Sequence, residues 1–136
     1  MYFKGNTGAI DHRSLEIIRD IFLDEEPLVT HCDLSKKLDP QPELNITLNE
    51  GFGSNKCGRF DIVWTHKDCY NFHYTERQGL DLRFDNHPEP DFQDKHFHPP
   101  PNGDTREQSC IEVEQPETVT RAVLKCWRKA IENDDP

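Results

Sequence analysis

Seven residues between positions 73 and 98 are the candidates for proton transfer or phosphate binding. They are His73, Arg83, Asp85, His87, Lys95, His96 and His98. Histidine exchanges protons near neutral pH, and arginine and lysine stabilise the charge that develops on a transferred phosphate. The set therefore suits RNA cleavage without a metal ion or another cofactor. One imidazole would deprotonate a 2′-hydroxyl group, and a second would protonate the leaving oxygen.

Within this scheme each side chain has an expected role. We expect His96 and His73 to act as acid and base. Arg83 and Lys95 are expected to contact phosphate, and Asp85 to orient a neighbouring histidine or arginine. The remaining histidines of the segment would extend the same polar patch.

A metal site is the second hypothesis for these residues. One residue separates His96 from His98, so on a strand both imidazoles would face the same side. Asp85 or His87 would then complete a zinc-like ligand set. The chain has no CxxC pair and no HExxH motif, and a lone HxH is a weak metal signal. We therefore expect no bound metal.

Structural roles without chemistry are also open. A solvated sheet face often alternates charges across its strands, which would account for Asp61, Asp81 and Arg83. The segment from Asp85 to Pro88 has the composition of a turn in which an Asp or Asn side chain caps its own backbone. For Asp85 the turn and the functional role stay open alternatives.

Three consecutive segments from Gly58 alternate with the period of two that is typical of half-buried strands. This pattern predicts an antiparallel meander with one apolar and one polar face. The apolar positions are Phe60, Ile62, Trp64, Tyr70, Phe72, Tyr74, Leu80, Leu82 and Phe84. His73, Arg83, Asp85 and His87 fall on the opposite face, which we expect to be open to solvent. Lys95, His96 and His98 are expected to reach that face from the proline-bounded loop that follows.

Turn chemistry predicts the register of this meander. Residues 77–79 fit a three-residue hairpin loop that ends in a left-handed glycine, which pairs His73 with Arg83. A loop over residues 66–68 would match the apolar faces and place Asp61 opposite His73. A slip of one residue would turn the apolar side chains to the wrong face.

Helices are predicted at both ends of the chain. Asp11 is a candidate N-cap for a helix with an apolar stripe that includes Leu15 and Phe22, and Pro116 suits the first turn of a closing helix. Further strands are predicted at Leu28–Cys32, Leu44–Leu48 and Cys110–Glu114. We expect an α+β fold in one domain over residues 1–136. Its antiparallel meander sheet of about five to six strands would be packed on one face by the N- and C-terminal helices.

Composition limits the function classes. The formal net charge of −10 opposes non-specific binding to nucleic acid, which depends on lysine and arginine. Five cysteines without a CxxC pair indicate reduced thiols rather than a disulfide framework. The sequence has no apolar run of membrane-spanning length and no signal-peptide profile, so we expect a cytoplasmic protein without a membrane partner.

The segment Leu82–Asn86, followed by Lys95–His98, resembles the RYDN signature and the later basic-histidine motif of the TumE-like proteins. The resemblance extends over about Gly58 to Pro99, with Phe84 in place of the usual tyrosine and a longer spacing to the histidines. It implies a toxin of a toxin–antitoxin pair. The implied partner is a DNA-binding antitoxin, commonly of helix-turn-helix type, that is encoded beside it.

The leading hypothesis is therefore a TumE-like toxin that acts as a metal-independent ribonuclease, with RNA as its substrate. The rival hypothesis is a non-enzymatic binding module that inhibits or regulates a protein target through its open face. A homodimer is a further partner hypothesis.

Overall fold

The computed structural model describes residues 8–35, 42–52, 57–77, 79–86, 95–99, 105–109, 111 and 114–132. Within these residues the chain forms two helices and one antiparallel sheet of seven strands in sequence order. The helices are α1 (His12–Glu25) and α2 (Pro116–Glu132). The strands are β1 (Val29–Ser35), β2 (Glu43–Leu48), β3 (Gly58–Trp64), β4 (Tyr70–Glu76), β5 (Asp81–Asn86), β6 (Lys95–His98) and β7 (Glu107–Gln108).

Helix α1 begins at the predicted cap. The Asp11 carboxylate accepts hydrogen bonds from the backbone N–H of Ser14 at 3.1 Å and from its hydroxyl group at 2.8 Å. These bonds satisfy a backbone donor that the first turn of a helix leaves free. The helix ends where the backbone N–H of Glu26 donates to the carbonyl of Phe22.

Both helices pack on the apolar face of the sheet, as predicted. The Phe60 ring of β3 contacts Phe22 of α1 and Trp127 of α2, with ring centroids 5.5 and 6.0 Å apart. Alternate residues of β2 to β5 join this core because their side chains point to the same face. The α+β architecture is confirmed.

The predicted register is also confirmed. His73 pairs with both Asp61 and Arg83, and Gly79 adopts the left-handed conformation (φ +95°) that the three-residue loop requires. In the preceding loop Asp68 takes the left-handed position, with φ 57°. This register fixes which polar side chains are neighbours.

The far edge of the sheet differs from the prediction. Lys95–His98 forms strand β6 and Glu107–Gln108 adds strand β7, so the described strands number seven rather than five or six. In the expected strand Cys110–Glu114, Ile111 and Glu114 are not in a strand, and the other positions lie outside the described residues. The side chain of Ile111 is instead buried in the core, at 3% exposure.

Candidate active site

Pairing of β4, β5 and β6 brings His73, Arg83 and His98 into one line across the sheet. His73 is the partner of Arg83, and Arg83 is the partner of His98. We call these three residues the histidine–arginine row. The adjacent line, Phe72, Phe84 and Phe97, faces the helices, so the row lies on the opposite face. Two imidazoles thus flank one guanidinium group.

The first imidazole of the row is held by a carboxylate. His73 Nε2 lies 2.9 Å from Asp81 Oδ1, and both side chains are partly exposed. Asp81 pairs with Thr75, so it reaches His73 diagonally between two adjacent strands. Because a carboxylate accepts the Nε2 proton, Nδ1 of His73 is left for another partner.

The second imidazole of the row belongs to a buried group around Asp85. His98 Nε2 and His96 Nε2 lie 3.1 and 3.4 Å from Asp85 Oδ2. On its other side, His98 Nδ1 lies 3.3 Å from Arg83 Nη2. We call Asp85, His96 and His98 the Asp85 cluster. One ligand atom from each member lies within 4.8 Å of the others, so the cluster has the donors and the compactness of a metal site.

The carboxyl group of Asp85 is more acidic than that of an ordinary aspartate. Burial alone raises the pKa of its carboxyl group, but hydrogen bonds from His96 and His98 and the charge of Arg83 lower that pKa to about 2. The carboxylate is therefore ionised at neutral pH. Its second oxygen, Oδ1, is buried and has no hydrogen-bond partner among the described residues.

The polar face is not open along its whole length. Asp85 and His96 are 3% and 1% exposed, and the neighbouring Asn71 is buried with them. The expectation of a solvent-exposed face is therefore wrong at this end, where Asp85 and His96 are buried in contact with each other. The open part begins at Arg83, with 26% of its side chain exposed, and continues to His73.

Lys95 is the expected site residue that the described structure places away from both the row and the Asp85 cluster. Lys95 shares the face of Phe97 by strand alternation, opposite to His96 and His98, and its ammonium group lies 3.4 Å from Glu114. His87 lies outside the described residues. Asp61 does lie beside His73, but its carboxylate is bonded to Arg59 and Asn45.

Asp81 is the functional candidate that the sequence interpretation missed. The predicted hairpin register could have identified it. Once His73 pairs with Arg83, Asp81 lies two positions before Arg83 on the same face and is therefore the diagonal neighbour of His73. For Asp85 the turn interpretation is wrong. The residue lies inside β5, and its carboxylate contacts the two imidazoles of His96 and His98.

The chain matches a known protein family over most of its length. Neither described helix has both the length and the apolar character that a membrane span requires. No curated protein and no solved structure matches the chain. The family model described as toxin TumE matches residues 18–133 of the 136, and so extends into both helices as well as the meander. The chain belongs to the TumE toxin family, which makes it a toxin of a toxin–antitoxin system with an antitoxin as its partner.

Proposed function

We propose that this toxin cleaves RNA by metal-independent acid–base chemistry at the histidine–arginine row. The observation that carries the proposal is the line His73–Arg83–His98, in which each imidazole also contacts a carboxylate. Transesterification at phosphorus needs a base, an acid and a cation that binds the phosphate, and the row supplies one histidine on each side of an arginine.

The spacing of the row suits a phosphodiester. Adjacent strands lie about 4.8 Å apart, so the backbones that carry the two histidines are separated by roughly 10 Å. A phosphate bound to the Arg83 guanidinium would therefore sit between the two rings. Arg83 can contact such a phosphate because 26% of its side chain is exposed and its guanidinium group carries several N–H donors.

His73 is suited to be the base. Asp81 holds Nε2, and this fixes both the ring orientation and the tautomer in which Nδ1 carries the lone pair. Nδ1 would take the proton of the 2′-hydroxyl group as the 2′-oxygen forms its bond to phosphorus.

His98 is suited to be the acid. Its Nδ1 faces Arg83, so a phosphate that engaged Arg83 would lie next to this nitrogen. Protonated His98 would give the Nδ1 proton to the 5′-oxygen as the bond between phosphorus and that oxygen breaks. The products would be a 2′,3′-cyclic phosphate and a 5′-hydroxyl end.

His96 takes a different role from the one expected. At 1% exposure it is too buried to contact RNA, and it contacts the carboxylate that holds His98. We assign it as a positioning residue. Lys95, on the other face, is not part of the proposed site.

The test is cleavage of mixed RNA by purified toxin in the presence of a chelator. His73→Ala, His98→Ala and Arg83→Ala should each slow cleavage by about 100- to 10,000-fold. The matched controls are His66→Ala, an exposed histidine, and Arg59→Ala, an exposed arginine of the polar face; both should cleave at the unaltered rate. Intact RNA, or cleavage that survives in all three row variants, contradicts the proposal.

The same variants address the rival binding module. If toxin expression still arrests growth after His73→Ala and Arg83→Ala, a protein target replaces RNA as the better hypothesis. We also propose that the antitoxin is a helix-turn-helix protein, as the family resemblance implies. An adjacent reading frame of this type, whose co-expression restores growth, is the expected result.

A further inference from the structure

The Asp85 cluster contains more than acid–base cleavage requires. His96 is an imidazole at 1% exposure that transfers no proton in the proposed reaction, and Asp85 Oδ1 is a buried carboxylate oxygen without a hydrogen-bond partner among the described residues. Buried polar atoms in folded proteins are almost always satisfied. Two imidazoles contact Oδ2 of this carboxylate while its Oδ1 has no partner among the described residues, so the carboxylate has capacity for a further ligand.

The donor geometry fits a small tetrahedral ion. Metal–ligand bonds of about 2.1 Å in a tetrahedron place the ligand atoms roughly 3.4 Å apart. Asp85 Oδ2 is already 3.4 Å from His96 Nε2 and 3.1 Å from His98 Nε2. The third separation, between one nitrogen of each imidazole, is no more than 4.8 Å, so those two nitrogens need to approach each other by no more than about 1.4 Å to close the set.

We propose that Asp85, His96 and His98 bind one Zn²⁺ ion and that this binding switches off the histidine–arginine row. Two imidazoles and one carboxylate are a zinc ligand set with an open fourth position. Magnesium and calcium prefer oxygen ligands and are disfavoured by the two nitrogens. The inhibition of the row by zinc rests on the proposed function, whereas the binding of zinc does not.

The switch follows from the two nitrogens of His98. Zinc on Nε2 displaces the proton that Nε2 donates to Asp85, so the neutral ring carries its proton on Nδ1. Nδ1 can then no longer accept the hydrogen bond from Arg83 Nη2. The displaced proton leaves to solvent, and the zinc-bound ring cannot become the imidazolium that the proposed reaction uses, so its Nδ1 proton is too weakly acidic for the leaving oxygen and His98 can no longer be the acid.

Arg83 therefore opposes zinc, which gives the site a distinctive signature. Its guanidinium Nε lies 3.9 Å from Asp85 Oδ2, close enough to repel a divalent cation. Arg83→Ala should tighten zinc binding by roughly tenfold, given the strength of charge interactions at such distances in a partly exposed site. If the three side chains formed only hydrogen bonds with one another and bound no zinc, Arg83→Ala would not increase the affinity for zinc.

The experiment is calorimetric titration of the chelator-treated, tag-free toxin with ZnCl₂, together with the visible spectrum of the Co²⁺-substituted protein. The wild type should bind one ion per chain and show the intense absorption of tetrahedral cobalt. His96→Ala, His98→Asn and Asp85→Asn should each weaken binding by at least 100-fold, while His66→Ala and His73→Ala retain it. Melting curves establish that each variant is folded, and His98→Asn, on the least buried ligand, keeps the test valid if the other two unfold.

Equal zinc affinity in the wild type and His98→Asn overturns the site, whether or not the toxin cleaves RNA. If the site binds zinc and the toxin cleaves RNA with chelator, saturating zinc should suppress cleavage, and unaltered cleavage overturns the switch alone. A toxin that binds zinc but never cleaves RNA refutes the proposed function, and with it the switch, while the zinc site stands.

Discussion

Arg83 Nη2 lies 3.3 Å from His98 Nδ1, and an arginine nitrogen can only donate. The histidine nitrogen must therefore accept, which assigns the proton of neutral His98 to Nε2, beside Asp85. Sequence alone could not assign this tautomer, because it depends on a hydrogen bond between two strands.

The first prediction concerns this tautomer. In the metal-free toxin, long-range ¹H–¹⁵N correlation spectra should show His98 with an unprotonated Nδ1 and a protonated Nε2. Arg83→Ala should shift the ring towards a mixture of tautomers, while the exposed His31 keeps its pattern in both proteins. A proton on Nδ1 of neutral His98 in the wild type would contradict the assignment.

The second prediction concerns close packing between Gly58 and Tyr74. A Cβ atom at Gly58 would lie 2.0 Å from the Tyr74 hydroxyl oxygen, which donates to the buried Glu76 carboxylate at 2.5 Å. Gly58→Ala should lower the free energy of unfolding by about 1–3 kcal/mol through overpacking. Tyr74→Phe should lower it by about 1–3 kcal/mol, because Glu76 loses a buried donor.

These two effects should not add. Tyr74→Phe removes the atom nearest to the new Cβ, so the double variant should be more stable than the sum of the single changes predicts. Urea denaturation of the four proteins measures the difference. Strictly additive changes in the free energy of unfolding would mean that the two positions have no steric interaction.

The meander could be predicted because two independent signals agree on it. Period-two alternation fixed the buried face around Phe72, and the Gly79 loop fixed the pairing of His73 with Arg83. A one-residue error would have moved the aromatic side chains out of the core, so pattern and turn chemistry together left one register.

The choice between His96 and His98 could not be predicted in the same way. Both lie on the same face of β6, and which of them joins the row depends on how β6 pairs with β5. Eight residues, 87–94, separate these strands, and a connection of this length sets no register. The burial of His96 follows from that pairing, so it needed the three-dimensional structure, whereas the position of Lys95 on the other face follows from alternation once Lys95–His98 is a strand.

The third prediction is a pH dependence at the N-cap of α1. Burial raises the pKa of Asp11, but its hydrogen bonds with Ser14 and the nearby His66 outweigh burial and leave the pKa below its usual value. A carboxyl group with a lowered folded-state pKa stabilises the fold above its unfolded pKa and loses that contribution as the pH falls through the folded value. The wild type should therefore lose this part of its stability below about pH 4.

Asp11→Asn provides the control for this pH effect, since asparagine is also a good cap but does not titrate. Melting temperatures of both proteins between pH 7 and pH 2.5 should converge as the pH falls. A constant difference across the range would show that Asp11 contributes no proton linkage.

The last prediction separates two arginine–glutamate pairs that join α2 to the end of α1. Arg128 binds Glu26, whose side chain is 3% exposed and also accepts from the backbone N–H of Leu28 at 3.0 Å. Arg121 binds Glu25 through two nitrogens, but both partners are largely exposed to solvent. The two pairs have the same chemistry and the same helices, and they differ mainly in burial.

Removal of the two arginines should therefore have unequal effects. Arg128→Ala leaves the Glu26 carboxylate buried without its cation and should lower the free energy of unfolding by about 3 kcal/mol or more. Arg121→Ala removes a pair that water already screens, so its effect should be much smaller. Glu26→Gln in the Arg128→Ala background should recover part of the loss, because a neutral amide costs less to bury than an unpaired carboxylate. Urea denaturation measures all three, and equal losses for the two arginine variants would mean that burial does not govern the strength of these pairs.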